Sequence, residues 1–193
     1  MKSEKRKGLL RAAGLVSLVF LAMWSLEFGV KRLGAPWHWI VPVVILAGGF
    51  YLAWASGFRL RILAGMEFGA AMFLFLAFWV ALGTLVIQGE TSAFYAERYG
   101  FMSRPILALS LDDLFYAGWF QGMLALMGVS LLLTSLRKRT LCFRLIHLGI
   151  VVVLVGGLVS DTLGVKGSMK LRVDQPTDEY MTLRRGRPTG VVK

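Results

Sequence analysis

The sequence predicts an all-α integral membrane protein of about five transmembrane helices, with the N-terminus inside, the C-terminus outside and a short extracytoplasmic tail. Three observations predict it. Hydrophobic residues make up 56% of the 193, and the mean hydropathy is +0.65; ordinary soluble domains are about 45–50% apolar even with glycine included. The excess is concentrated in five apolar runs, at 9–29, 38–56, 68–88, 114–136 and 145–163, each reaching the ~20 residues that cross a ~30 Å hydrocarbon core as a helix. Finally, the basic residues alternate between loops. Lys2, Lys5, Arg6, Lys7, Arg11, Arg59, Arg61, Arg137, Lys138, Arg139 and Arg144 fall on one side, against Lys31, Arg32, Arg98 and Arg104 on the other, which places the N-terminus in the cytoplasm.

The first run lacks a small-residue cleavage site and is followed by further spans, so it is expected to be retained. Glu27, about a turn inside its outer end, is expected to snorkel and pair with Lys31 at i+4. The loop KRLGAPWHW carries Trp37 and Trp39 as an interfacial belt with His38 between them. In the third run Gly65 and Gly69, and in the fourth Gly118, Gly122, Ala125 and Val129, recur at helical spacing and read as close-packing seams. Asp112 and Asp113 precede the fourth run, where acids cap a helix or complement its dipole.

Between the third and fourth runs lies GETSAFYAERYGFMSRPILALS, long for a connector and carrying Phe94, Tyr95, Tyr99 and Phe101. Its ILALSLDD end has helical spacing suited to a membrane surface, so the loop is expected to pack on something outside the membrane. The tail from Lys166 mixes Gly, Pro and charge and cannot bury much core alone. The net charge of +11 follows from topology and attraction to anionic lipid; no basic face with interleaved aromatics points to nucleic acid. The lone Cys142 excludes an internal disulfide, and two histidines with one cysteine make no zinc pattern.

The fifth run, RLIHLGIVVVLVGGLVS, places His147 three residues past Arg144, about 4.5 Å into the helix. Gly156 and Ser160 each fall within about 20° of Gly149 on the wheel, and the three read as the close-packing face. His147 points roughly the opposite way, on a stripe with Ile150, Val151, Leu154 and Leu158. A histidine so near the edge is cheap to place, so its depth alone demands no function. An imidazole inside a membrane helix is nevertheless a candidate metal or haem-iron ligand.

Taken in order, GMEFGAAMF, GTLVIQ, FYAERYG, LALSLDDLFYAGWF, LLLTSLRKR, RLIHLGIVVVLVGGLVSD and GVKGSMKLRVDQ resemble the N-terminal membrane part of the ResB (CcsB) family of cytochrome c biogenesis proteins, over roughly residues 60–193. The two additional N-terminal transmembrane helices expected in 1–58 depart from the family's pattern; the resemblance implies a ResB-like three-helix membrane region in 59–165 and the truncated start of the family's outer domain in 166–193. The rest of that domain is expected as a separate chain, or lost in a shortened gene.

It further implies a system II subunit of the bacterial inner membrane. With a CcsA/ResC-type partner, such a subunit binds and exports haem b for covalent attachment to apocytochrome c, in a setting that also involves thiol reductant proteins. The HLGI match implies that His147 is a haem axial ligand, the iron's other ligand coming from the partner. No nucleophile, acid–base pair or cofactor loop suggests an enzyme acting alone; the resemblance implies part of a cytochrome c synthetase complex. Two other classes stay open: a b-type haem electron-transfer subunit, which would hold haem reversibly, and a haem-free structural or transporter-like subunit, which would tolerate His147→Ala.

Overall fold

The computed structural model describes residues 2–32, 62–137, 140–163, 166–168, 180–184 and 187–192. The 38–56 run and His38, Trp37 and Trp39 lie outside them. Four long helices form the bundle: α1 (Lys2–Arg32), α2 (Met66–Leu85), α5 (Gly118–Arg137) and α6 (Leu141–Leu163). Between α2 and α5 the chain folds into α3 (Ser92–Tyr99), a 3₁₀ turn at Gly100–Met102, α4 (Ser103–Ala108) and a second 3₁₀ stretch at Leu111–Tyr116. Among the described residues three helical segments are long and apolar enough to cross a membrane, Arg6–Gly29, Met66–Leu85 and Gly118–Arg137, and the apolar part of α6, Leu141–Gly157, is shorter.

The helical class therefore holds for the membrane region. The tail adds what an all-α reading did not include: β1 (Lys166–Ser168), β2 (Tyr180–Arg184) and β3 (Arg187–Val192) form an antiparallel sheet in that order. Lys166 pairs with Leu183 and Tyr180 with Val192, with an irregularity at Thr182/Leu183. Pro188, which cannot donate to a ladder, falls on an edge strand opposite that irregularity.

The core lies where α1, α2 and α5 meet. Ala12, Val16, Phe20 and Met23 line one stripe of α1, and Phe68, Met72, Leu76 and Trp79 the facing stripe of α2. Phe20 packs on Phe75, Trp79 and Trp119 with ring centroids 5.2, 5.3 and 5.0 Å away, and Trp79 meets Trp119 edge-on at 5.2 Å. Lipid removes the hydrophobic drive between helices, so this dispersion contact is what holds them together; tilted and edge-on ring pairs contribute about 0.5–1.5 kcal/mol each beyond area.

The contacts also fix direction. Gly8 faces Glu67 near the start of both α1 and α2, and Phe20 meets Phe75 and Trp79 further along both, so the two helices run parallel. α5 runs the other way: Trp119 at its start joins the ring cluster, while the Ser130 hydroxyl donates to Leu63 O at 2.6 Å. α6 turns back along α5, with the Ser135 hydroxyl donating to Arg144 O at 3.4 Å and Leu154 beside Gly128.

Of the expected seams, the α5 set is buried at Gly118, Gly122 and Ala125 and partly buried at Val129. At the Gly65/Gly69 seam, no described residue comes within 4 Å of a Cβ placed on Gly69. The glycine of α2 that admits close approach is Gly83, where an added Cβ would lie 2.2 Å from Leu114 Cδ2. The reason is that α2 is covered along Phe68, Met72, Leu76 and Trp79, a stripe that carries on to Gly83 at its end.

Candidate functional site

The connector between α2 and α5 folds onto the end of the bundle rather than away from it. Tyr95, Ile106, Leu111 and Leu114 are buried against the helices, so the partner expected outside the membrane is, for these residues, the chain's own bundle. Backbone groups withdrawn from water need acceptors or donors, and side chains supply them. Gln88, at the end of the third apolar run, donates through Nε2 to Gly83 O at 2.8 Å and Leu111 O at 2.6 Å, and its Oε1 accepts from Leu114 N at 3.1 Å. The Tyr95 hydroxyl donates to Ile87 O. Burial raises the Tyr95 phenol above its usual range, partly offset by its hydrogen bond with the Glu90 backbone and reinforced by the charges of Asp112 and Glu90. Gly89, at φ +81°, turns the chain so that its N–H reaches Asp112 O at 2.8 Å.

Glu27 is the centre of this cap. It is 3% exposed, so it does not snorkel to an interface as expected. Its Oε2 accepts the backbone N–H of Trp119 at 2.8 Å, and its Oε1 accepts from the Ser110 hydroxyl at 3.4 Å. Trp119 is the second residue of α5, so a carboxylate from α1 meets an unpaired N–H of that helix and its positive dipole end. Asp112 and Asp113, expected in that role, sit instead in the 3₁₀ stretch, and extended Ala117 separates them from the helix start. Two indoles complete the arrangement: Trp24 Nε1 donates to Ala108 O at 2.9 Å and Trp119 Nε1 to Leu109 O at 3.1 Å, pairing carbonyls at the end of α4.

At the opposite end of the bundle lies His147. Its Nδ1 is 2.9 Å from the carbonyl oxygen of Phe143, one turn back on α6, and the two rings stack with centroids 3.9 Å apart and planes at 24°. A carbonyl only accepts, so Nδ1 carries the hydrogen; in the neutral imidazole the lone pair is then on Nε2. A nitrogen so defined can take one coordination position on a metal. Among the described residues no group of three or more His, Cys, Asp or Glu side chains gathers for a metal ion, so the arrangement offers one ligand, not a cage. Cys142, five residues earlier on α6, is exposed.

The faces of α6 are exchanged relative to expectation. Phe143, His147, Val151 and Leu154 are its partly buried residues, spaced as one stripe, and Leu154 reaches Gly128 of α5. Among the described residues nothing comes within 4 Å of a Cβ placed on Gly149, Gly156 or Gly157. Among the described residues the packed side is thus the histidine's, where Leu154 reaches Gly128, and not the glycine face.

A helical membrane protein with a hydrogen-bonded cap at one end and a single oriented imidazole toward the other is what this geometry defines. Residues 66–144, the part containing α2, the cap and α5, match the ResB-like family. The chain is similar to the cytochrome c biogenesis protein CcsB of Synechococcus elongatus, at 45% identity over 67 residues, which covers 31% of this chain and 15% of that protein. It is 37% identical over 94 residues to the CcsB of Synechococcus sp. strain RCC307, covering 45% and 20% of the two chains. With the CcsB of Picosynechococcus sp. it shares 30% over 113 residues, 54% and 22%. The chain thus spans about a fifth of the length of the curated relatives it matches. No solved structure matches it. His147 lies three residues beyond the family match.

Proposed function

We propose that this chain is a membrane subunit of cytochrome c biogenesis, of the system II kind, which with a CcsA/ResC-type partner binds haem and passes it to the outer face for covalent attachment to apocytochrome c. The ResB-like segment at 66–144 and the similarity to proteins named for cytochrome c biogenesis support the process. The observation that carries the chemistry is the His147 geometry: Nδ1 tied to Phe143 O leaves Nε2 as the nitrogen that would hold haem iron. The residues fit haem in that sense alone, as one ligand with the second supplied by the partner. Bound haem supplies the vinyl groups that become thioethers; this chain's part is to hold the iron and the orientation.

The same reading includes five spans in the bacterial inner membrane, N-terminus inside and tail outside. Parallel α1 and α2 support it, since both helices then start on the same side of the bundle. The basic ends Arg6, Lys7, Arg11, Arg137 and Arg144 gather at one end of the bundle, as an inner face requires.

The test is the haem spectrum of this chain purified with a CcsA-type partner, native against His147→Ala, with imidazole added to the variant. Haem lost in His147→Ala and restored by imidazole supports the reading. Haem retained with an unchanged spectrum removes the ligand assignment, and haem that cycles reversibly without reaching apocytochrome c favours an electron-transfer subunit instead.

A further inference from the structure

We propose that Phe143 is a positioning residue that fixes the orientation and tautomer of the His147 imidazole, so that Nε2 is the nitrogen presented for ligation. This rests on the haem-ligand reading for its purpose, though not for its geometry. Helical side chains lean toward the preceding turn, which brings the imidazole over residue 143. Two contacts then act on one ring. The carbonyl of Phe143 takes the Nδ1 hydrogen at 2.9 Å, and the phenyl ring lies against the imidazole face at 3.9 Å, nearly parallel at 24°. The hydrogen bond alone would permit the ring to rock about its Cβ–Cγ bond; the stacked phenyl removes that freedom from one side.

Both residues are partly buried on the α5-facing stripe, whereas Leu145, Ile146 and Leu148 are exposed, so the pair is held on the side where the bundle restrains it. A ligand histidine is normally oriented by the partner of its other ring nitrogen. Here that partner and the stacking ring belong to the same residue, one turn away. A short aliphatic side chain at 143 keeps the carbonyl and loses the ring, which separates the two contributions.

The experiment uses the full chain in lipid nanodiscs, without haem and with it. The ¹⁵N spectrum of histidine-labelled protein, assigned with His147→Ala, reports the tautomer directly. Native protein and Phe143→Tyr are expected to show one tautomer with hydrogen on Nδ1, and Phe143→Leu a mixture. In the haem-loaded complex with a CcsA-type partner, the imidazole concentration that displaces the histidine is expected to fall about tenfold in Phe143→Leu and to stay native in Phe143→Tyr. An unchanged tautomer and unchanged displacement in Phe143→Leu would overturn the proposal. If His147→Ala leaves the haem spectrum untouched, the haem reading fails, while the haem-free spectrum still decides whether Phe143 sets the imidazole.

Discussion

Glu27 and Trp119 stand 92 residues apart in sequence and are joined by a 2.8 Å hydrogen bond from the Trp119 backbone N–H to the Glu27 carboxylate. Through this bond α1, which lies outside the ResB-like segment, completes the start of α5, which lies inside it. The first helix is therefore part of the folded unit and not only a tether.

That relationship predicts an ordering of variants. Glu27→Ala leaves the Trp119 N–H and the Ser110 hydroxyl without this acceptor in a nearly water-free site, a loss of about 1–3 kcal/mol. Glu27→Gln keeps an oxygen acceptor and loses only the charge, so it falls between Ala and native. Thermal unfolding in detergent micelles checks the order; an Ala variant as stable as native would show the bond to be incidental.

Gly83 and Leu114 supply a second, steric prediction. A methyl group on Gly83 would sit 2.2 Å from Leu114 Cδ2 and 3.3 Å from its Cβ and Cγ, and Leu114 is fully buried. Gly83→Ala is expected to cost about 1–3 kcal/mol through overpacking. Leu114→Ala in the same chain removes the clashing atom, so the double variant should lose less than the two single losses added. A double-mutant cycle of unfolding midpoints measures the coupling, and strict additivity would contradict the contact.

Much of this was legible in the sequence, and the failures share a cause. Run length identified the helices because a bilayer sets their length, and Gly118, Gly122 and Ala125 were rightly read as a packed face. Periodicity, however, says which residues share a face and not which face is covered. Gly149 and Gly156 do share one, yet the neighbouring helix meets Phe143, His147, Val151 and Leu154 instead. Glu27 reads as interfacial because Lys31 is one turn away, but it is buried and takes hydrogen bonds from the cap, 83 and 92 residues along; the Lys31 side chain lies outside the described residues. Gln88 drew no attention, although an amide closing an apolar run was the available signal. The Nδ1 bond of His147 is local, but i−4 carbonyl bonding depends on a side-chain rotamer that sequence does not display.

Tyr95 makes the cap sensitive to alkali. Its phenol is buried and donates to Ile87 O, and burial raises it above the ordinary value of 10.0. The folded state thus holds the proton more tightly than the unfolded chain. Stability from this group is fully present below pH 10.0 and is lost as pH rises through the raised folded value. Proteolysis of the Gly89–Tyr116 segment is expected to accelerate above that pH in native protein. Tyr95→Phe, weaker at neutral pH for want of the hydroxyl, should show a shallower pH dependence; equal slopes in both proteins would remove Tyr95 as the titrating group.

The two core tryptophans should respond unequally to loss of the indole nitrogen. Trp119 donates through Nε1 to Leu109 O at 3.1 Å, while Nε1 of Trp79 is buried with no hydrogen-bond acceptor among the described residues. Both rings pack on Phe20 and on each other, so replacement by phenylalanine trims similar contact from each. Trp119→Phe also strands a carbonyl at the end of α4, whereas Trp79→Phe removes a donor whose desolvation was already unfavourable. Trp119→Phe is therefore expected to be the more destabilising by about 1–2 kcal/mol. Unfolding midpoints of the two variants, measured in the same detergent, decide it: a reversed order would mean that ring packing, not hydrogen bonding to the connector, governs this junction.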